Sequence, residues 1–185
     1  MRIVAGRLGG RTLVARSDDR TRPTSDRVRE AMFNILTHGI ADFSIEGTTV
    51  LDLFAGTGAL GLEALSRGAA FCLFVEEDAE ARAIIRRNVE ALGLTGVTKI
   101  FRRDATSLGP AGNRQRASLA FLDPPYGQGL AERALLAAAE GEWLAAGAVV
   151  VIEEHKGVTI GLPDNFTLLE RRSWGDTQGV FARLC

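Results

Sequence analysis

Val50-Leu51-Asp52-Leu53-Phe54-Ala55-Gly56-Thr57-Gly58-Ala59-Leu60-Gly61 is the stretch on which the fold turns. An apolar strand from Thr49 to Phe54 runs into a G-x-G-x-x-G turn and then into a helix from about Ala59 to Ser66. Glycine at 56 and 58 lets the backbone turn sharply and lets a ligand lie against the main chain with no Cβ in the way. Downstream, Phe71–Val75 reads as a second strand and Asp78–Leu92 as a second helix. Val97–Phe101 and Leu119–Leu122 follow as strands, Leu130–Ala139 as a helix and Ala148–Glu153 as a strand. Strand and helix in alternation predict an α/β fold, a parallel sheet with helices on both faces. The end breaks the rhythm: Phe166–Arg172 and Gln178–Leu184 are strand-like runs joined through Trp174-Gly175-Asp176, which predicts an antiparallel hairpin.

Upstream of the motif, Val28, Met32, Ile35 and Leu36 recur at helical spacing after a turn at Thr21-Arg22-Pro23, with Thr24 or Ser25 placed to cap the helix. Residues 1–24 hold glycines, arginines and short apolar alternations, and read as a basic hairpin or extended arm ahead of a single domain over 25–185. A chain of 185 residues suits one sheet core covered by helices.

The net charge of −1 is uninformative, but its distribution is not. Residues 1–30 carry eight arginines against Asp18, Asp19, Asp26 and Glu30, a net of +4, while the rest has 14 basic and 19 acidic residues, a net of −5. Such an arm is either a solvated terminus or a surface for phosphates, with Arg7, Arg11 and Arg22 as candidates. No apolar run approaches the ~20 residues of a membrane span. Met1–Gly10 lacks the apolar segment of a secretory signal, so a cytoplasmic location is expected. Cys72 and Cys185 form neither a disulfide framework nor a metal spacing, and His38 and His155 stand apart from them, so no metal site is expected.

Around the glycine turn, three carboxylates narrow the ligand. Asp52 stands four residues before Gly56, where it suits the ammonium of a methionine moiety and would be ill-placed beside a pyrophosphate. Glu76 ends the second strand, 20 residues after Gly56, where a carboxylate accepts ribose hydroxyls; a helix-terminal charge is the plainer alternative. Asp104 and Ala105 follow the third strand, positioned for an adenine amino group and ring, although Asp104 would equally serve as a helix N-cap. With Phe54, Gly56 and Gly58, these residues are the expected site for S-adenosylmethionine.

The fourth strand ends in Asp123-Pro124-Pro125-Tyr126. Ligands of open parallel sheets bind beyond the carboxyl ends of strands, so this loop is expected to face the crevice of the glycine turn. An exocyclic amine on a base is a poor nucleophile because its lone pair is delocalised into the ring. The Asp123 carboxylate and the Pro124 carbonyl can accept its two N–H groups and free that lone pair. The prolines fix φ and donate no competing N–H, and Tyr126 offers a face for stacking a base drawn out of its helix or loop. Asp-Pro-Pro is also ordinary turn chemistry after a buried strand.

In these two loops the sequence resembles the class I methyltransferases that act on amino groups, and within them the bacterial small-subunit rRNA guanine-N2 methyltransferases of the RsmD type. The resemblance covers nearly the whole chain. It rests on Arg2-Ile3-Val4-Ala5-Gly6 with Gly9-Gly10-Arg11, on Arg22-Pro23-Thr24-Ser25-Asp26-Arg27-Val28-Arg29-Glu30, on Phe33-Asn34-Ile35-Leu36, and on Gly175-Asp176-Thr177. It implies a mostly parallel seven-stranded, Rossmann-like sheet closed by the C-terminal hairpin. It also implies methyl transfer from S-adenosylmethionine to N2 of a guanine in 16S rRNA, presented on a 30S particle, by an enzyme expected to be a monomer. An adenine-N6 methyltransferase of DNA or RNA would use the same loop, often with Asn at position 123, but 185 residues leave little room for a target-recognition domain. A nicotinamide oxidoreductase would share the glycine turn yet have no use for Asp-Pro-Pro-Tyr, and a non-catalytic RNA-binding module would not need both loops.

Overall fold

A computed structural model describes residues 1–16 and 25–185. Helix α1, Asp26–His38, starts at Ser25, whose side chain accepts the Val28 N–H; Asp26 in the first turn and His38 in the last suit the helix dipole. The core then runs β1 (Thr49–Leu53), α2 (Ala59–Ser66), β2 (Phe71–Val75), α3 (Ala79–Ala91), β3 (Thr98–Phe101), β4 (Ala117–Leu122), α4 (Leu130–Glu140), β5 (Leu144–His155), β6 (Phe166–Trp174) and β7 (Thr177–Leu184). These bounds match the sequence expectation within a residue or two, except at the start of β5. Val97 lies in a short 3₁₀ turn, Thr95–Val97, ahead of β3. Strand β5 begins at Leu144 rather than Ala148, because a register shift between Ala117 and Leu119 of β4 lets Leu144 pair with Ala117 before Val149 resumes the ladder opposite Leu119.

The seven strands lie in the order β3-β2-β1-β4-β5-β7-β6. The first five are parallel, β7 inserts antiparallel against β5, and β6 becomes the edge. This is the mostly parallel sheet with a C-terminal antiparallel hairpin. Alternate strand residues sort into two cores. Val50, Phe74, Phe121 and Val151 pack with α1, α2 and α3 on one face. Leu51, Leu73, Leu122 and Ile152 pack with α4 on the other. On this second face, part of the cover is the helix-free crossover 102–116, tied down where the Trp143 indole N–H donates to the Gly109 carbonyl at 2.7 Å and Ala111 N–H to Gly141 O at 2.8 Å.

The first residues form a small hairpin, with Arg2 bridged to Thr12 and Ile3, Leu8 and Leu13 buried in the α1–α3 core. Buried carboxylate Glu63 of α2 accepts the Val4 and Ala5 N–H groups and the Arg67 guanidinium, and lies 3.6 Å from the fully buried Arg29. Arg29 in turn pairs with Asp26 and donates to the Arg2 carbonyl. Each buried charge thereby gains partners that offset its desolvation. Gly6 makes the contact possible. Its φ is +81°, and a Cβ would stand 2.0 Å from the Ser66 carbonyl oxygen.

Helix α2 lies close against the sheet at Gly61. A Cβ there would lie 2.5 Å from both Cys72 Sγ and Phe74 Cε1 and 3.0 Å from Asp52 Oδ2. Gly61→Ala is expected to destabilise the domain by roughly 1–3 kcal/mol, the range for overpacking a core. Thermal or denaturant unfolding measures it, and unchanged stability would show that α2 can move away from the sheet freely.

Candidate active site

Beyond the carboxyl end of β1 the chain turns through three left-handed residues, Phe54 (φ 57°), Gly56 (φ 56°) and Gly58 (φ 80°), before α2 begins at Ala59. For Phe54, which has a Cβ, this conformation costs on the order of 1–2 kcal/mol. The turn is tied to the end of β2 by two hydrogen bonds. The Ala55 N–H donates to the Val75 carbonyl, and the Gly56 N–H to Glu76 Oε2 at 2.8 Å. The other oxygen of Glu76 accepts the Asp78 N–H at 2.9 Å, while Asp78 caps α3 through the Ala81 N–H. Glu76 thus spans the mouths of β1 and β2, and the helix-terminal task that was its plainer alternative falls to Asp78.

Asp52 lies beneath the turn, 1% exposed, with Oδ2 accepting the Gly61 N–H at 2.9 Å. Burial pushes its carboxyl up to about 8; the Gly61 hydrogen bond works against this and the nearby Glu76 charge adds to it. Asp104 does not cap a helix, because none follows β3. Its carboxylate turns back onto the Thr106 N–H and hydroxyl, both at 2.8 Å, and these bonds hold it below the usual carboxylate range. Ala105 beside it is buried.

The loop after β4 hangs over the same space. The Asp123 N–H reaches the Leu53 carbonyl at 3.4 Å, joining the loop to the end of β1. Pro124 is buried, Pro125 exposed, and the half-buried Tyr126 donates its hydroxyl to Glu153 Oε1 at 2.8 Å. A single cleft of about 1030 Å³ is lined by Asp52, Phe54, Gly56, Glu76, Asp104, Ala105 and all of Asp123–Tyr126. Every residue expected to hold cofactor or target amine, apart from Gly58, lines this one cavity; Gly58 sits in the turn behind it.

The basic arm divides. Arg7 and Arg11 are exposed, with no ion pair among the described residues, and lie outside the cleft. Arg7 sits at the far end of α2, its N–H on the Ser66 carbonyl, so it is a helix length from the glycine turn. Arg22 lies outside the described residues. Arg16, which the sequence reading passed over, lines the cleft and pairs with Asp78 at 3.0 Å and Glu80 at 2.9 Å. Asn88 was also missed. From α3 its amide accepts the Val14 N–H at 2.7 Å and donates to the Val14 and Thr57 carbonyls at 3.1 and 3.0 Å, fastening the arm to the glycine turn. A lone Asn in an amphipathic helix pattern gives no sequence sign of this; only its place on the buried face would.

Among the described residues, no cluster of three metal-ligating side chains occurs and no helix is long and apolar enough to cross a membrane. Residues 1–183 match the family model described as Conserved hypothetical protein 95. The chain is 34% identical to Ribosomal RNA small subunit methyltransferase D of Haemophilus influenzae, over 95% of this chain and 89% of that one. It is 37% identical to the protein of the same name from Escherichia coli, over 88% and 78%. Among solved structures, the yhhF protein of Escherichia coli superposes with a TM-score of 0.83 at 29% identity, covering 100% of this chain and 97% of that one. The Thermus thermophilus 16S rRNA N2 G1207 methyltransferase (RsmC), in complex with AdoMet and guanosine, shares the fold at a TM-score of 0.63 and 23% identity, over 91% of this chain and 45% of that one. The chain belongs to the Conserved hypothetical protein 95 family, the family of the RsmD methyltransferases.

Proposed function

We propose that this protein transfers a methyl group from S-adenosylmethionine to the exocyclic N2 amine of a guanine in 16S rRNA, in the cytoplasm, acting as a monomer on the rRNA or on a 30S particle. The observation that carries the reading is the shared cleft: the glycine turn with Glu76 and the Asp123–Tyr126 loop open onto one cavity. Membership of a family with curated rRNA small-subunit methyltransferases supports the substrate class.

The residues fit this cofactor. Carboxylates line the cleft where a cationic methionine end would sit, and a dinucleotide pyrophosphate would be repelled there. The space at Gly56 is open, so a ligand can approach the main chain. In this reading Glu76, its oxygens already oriented by Gly56 and Asp78, accepts the ribose hydroxyls. Asp104 and Ala105 flank the adenine, and Asp52 faces the ammonium. When bound, the cofactor supplies an electrophilic methyl group on a sulfonium. Asp123 and the Pro124 carbonyl accept the two N–H groups of the guanine amine, which localises the nitrogen lone pair. Tyr126 presents its ring to the target base. The cleft loops hold one base, so selection of the nucleotide falls to another surface, and the exposed Arg7 and Arg11 with Arg22 supply phosphate contacts.

Three outcomes follow. Asp123→Ala is expected to lower transfer of tritiated methyl to undermethylated 30S particles by about 10²–10⁴ while cofactor affinity stays within a few-fold; near-normal turnover would remove the mechanism. Cofactor affinity is expected to fall as pH drops below about 8. There the free Asp52 carboxyl is protonated and must lose its proton to face an ammonium. Calorimetry in two buffers of different ionisation enthalpy should read proton release at neutral pH, absent in Asp52→Asn; equal heats would exclude it. Replacing Arg7 and Arg11 is expected to raise KM for the RNA substrate more than it lowers kcat and to flatten the salt dependence of binding, by roughly one counterion per lost phosphate contact. Identical salt slopes would place the RNA elsewhere.

A further inference from the structure

The end of the Asp123–Tyr126 loop and the residue after it are held by two consecutive carboxylates that the methyl-transfer reading leaves without a task. Glu153 and Glu154 stand near the end of β5, 3% and 2% exposed. Neighbouring residues of a strand point to opposite faces. Glu153 takes the Tyr126 hydroxyl, and Glu154 takes the Gly127 N–H at 3.1 Å together with its neighbour's, His155 N–H, at 2.7 Å. Thr177, at the start of β7 and itself buried, places its hydroxyl 3.2 Å from the phenol oxygen. The Tyr126 ring lines the cleft while its polar end is turned into the protein.

We propose that Glu153 is a positioning residue for the transfer: it pins the Tyr126 hydroxyl so that the ring forms a fixed wall for the target base, and the phenol itself neither gives nor takes a proton. This rests on the reading of Asp123–Tyr126 as the loop that holds the target amine. A phenol held only by its ring could rotate about two side-chain torsions and swing out of the cleft. A hydroxyl bonded to a buried carboxylate removes that freedom before substrate arrives, which is how preorganised geometry raises rate. The electrostatics agree. Burial pushes the phenol well above its ordinary range and the charge of Glu153 pushes it further; the Thr177 hydrogen bond opposes these with a smaller effect, and the Asp123 charge adds the least. The His155 ring lies 6.2 Å away, tilted. A proton committed to Glu153 is unavailable to the substrate.

Tyr126 is the one tyrosine of the chain, so its ionisation can be read directly by near-ultraviolet tyrosinate absorbance. Wild type is expected to remain un-ionised well past the ordinary tyrosine value of about 10, and Glu153→Gln, which keeps size and an acceptor but not the charge, to ionise at distinctly lower pH. On 30S particles, Glu153→Ala should lower kcat by roughly ten- to a hundredfold, the scale of a lost hydrogen bond to a charged group. KM and cofactor affinity should stay within about twofold under the same argument. Glu153→Gln should recover most of kcat. Tyr126→Phe should match Glu153→Ala, and the double variant should be no worse than either. Equal ionisation of wild type and Glu153→Gln overturns the proposal, as does wild-type kcat in Glu153→Ala or an additive double variant. Failure of the wild type itself to methylate RNA would sink the methyltransferase reading, whereas the absorbance comparison decides independently whether Glu153 holds the phenol.

Discussion

The close approach of α2 to β1 and β2 at Gly61 sets the geometry of everything above it. Because no side chain stands at that position, the helix lies against Cys72 and Phe74, and its Gly61 N–H drops onto the carboxylate of Asp52. Strand and helix are thereby fixed at a separation that a short turn must bridge, and Phe54, Gly56 and Gly58 take left-handed conformations to do so. The strain at Phe54 is local, while the contacts that enforce it are spread over the core. Asp52 is held in a dry place by the same packing, which is why its proton is hard to remove.

A second anchoring system is electrostatic. Glu63, wholly buried on the same helix, gathers two backbone N–H groups of the amino-terminal hairpin and the guanidinium of Arg67, beside that of Arg29. Removing Glu63 would leave the fully buried Arg29 and the Val4 and Ala5 N–H groups without this partner, so the network ties the hairpin to α1 and α2. Among its described residues, what composition alone renders as a basic arm is part surface and part core: Ile3, Leu8 and Leu13 face inward while Arg7 and Arg11 face out.

Much of the fold was legible in the residues. The glycine turn after an apolar strand, the alternation of strand and helix and the absence of a helix before the last strand give the layer plan, because each is a local signal of period, glycine or length. The hairpin was legible too, but not that β7 rather than β6 would lie against β5; that choice depends on pairing across the sheet. Asp104 as a helix cap failed because 102–116 crosses the sheet as a loop, a matter of what Trp143 and Gly109 can bury. The cleft residues Asp52, Glu76 and Asp123 were found because they stand at strand ends with recognisable spacing. Asn88 and Glu153 were not, since each acts on segments distant in sequence: Val14 and Thr57 for one, Tyr126 for the other.

The clamp of Asn88 on Val14 has a consequence for how such a chain can change in length. Gly6 is seated on Ser66 at one end of α2, and Val14 is hydrogen-bonded through both its N–H and its carbonyl to Asn88 near the glycine turn. The segment between, Arg7 to Leu13, spans two fixed points, with Leu8 and Leu13 in the core at set places. Adding or deleting one residue there would unseat one anchor or the other, and losing the second would free the Thr57 carbonyl from its partner. Insertions in the arm's return limb are therefore costly, and the stretch joining β5 to β6, residues 156–165, where Ile160 is the one buried residue, offers more exposed positions to absorb them.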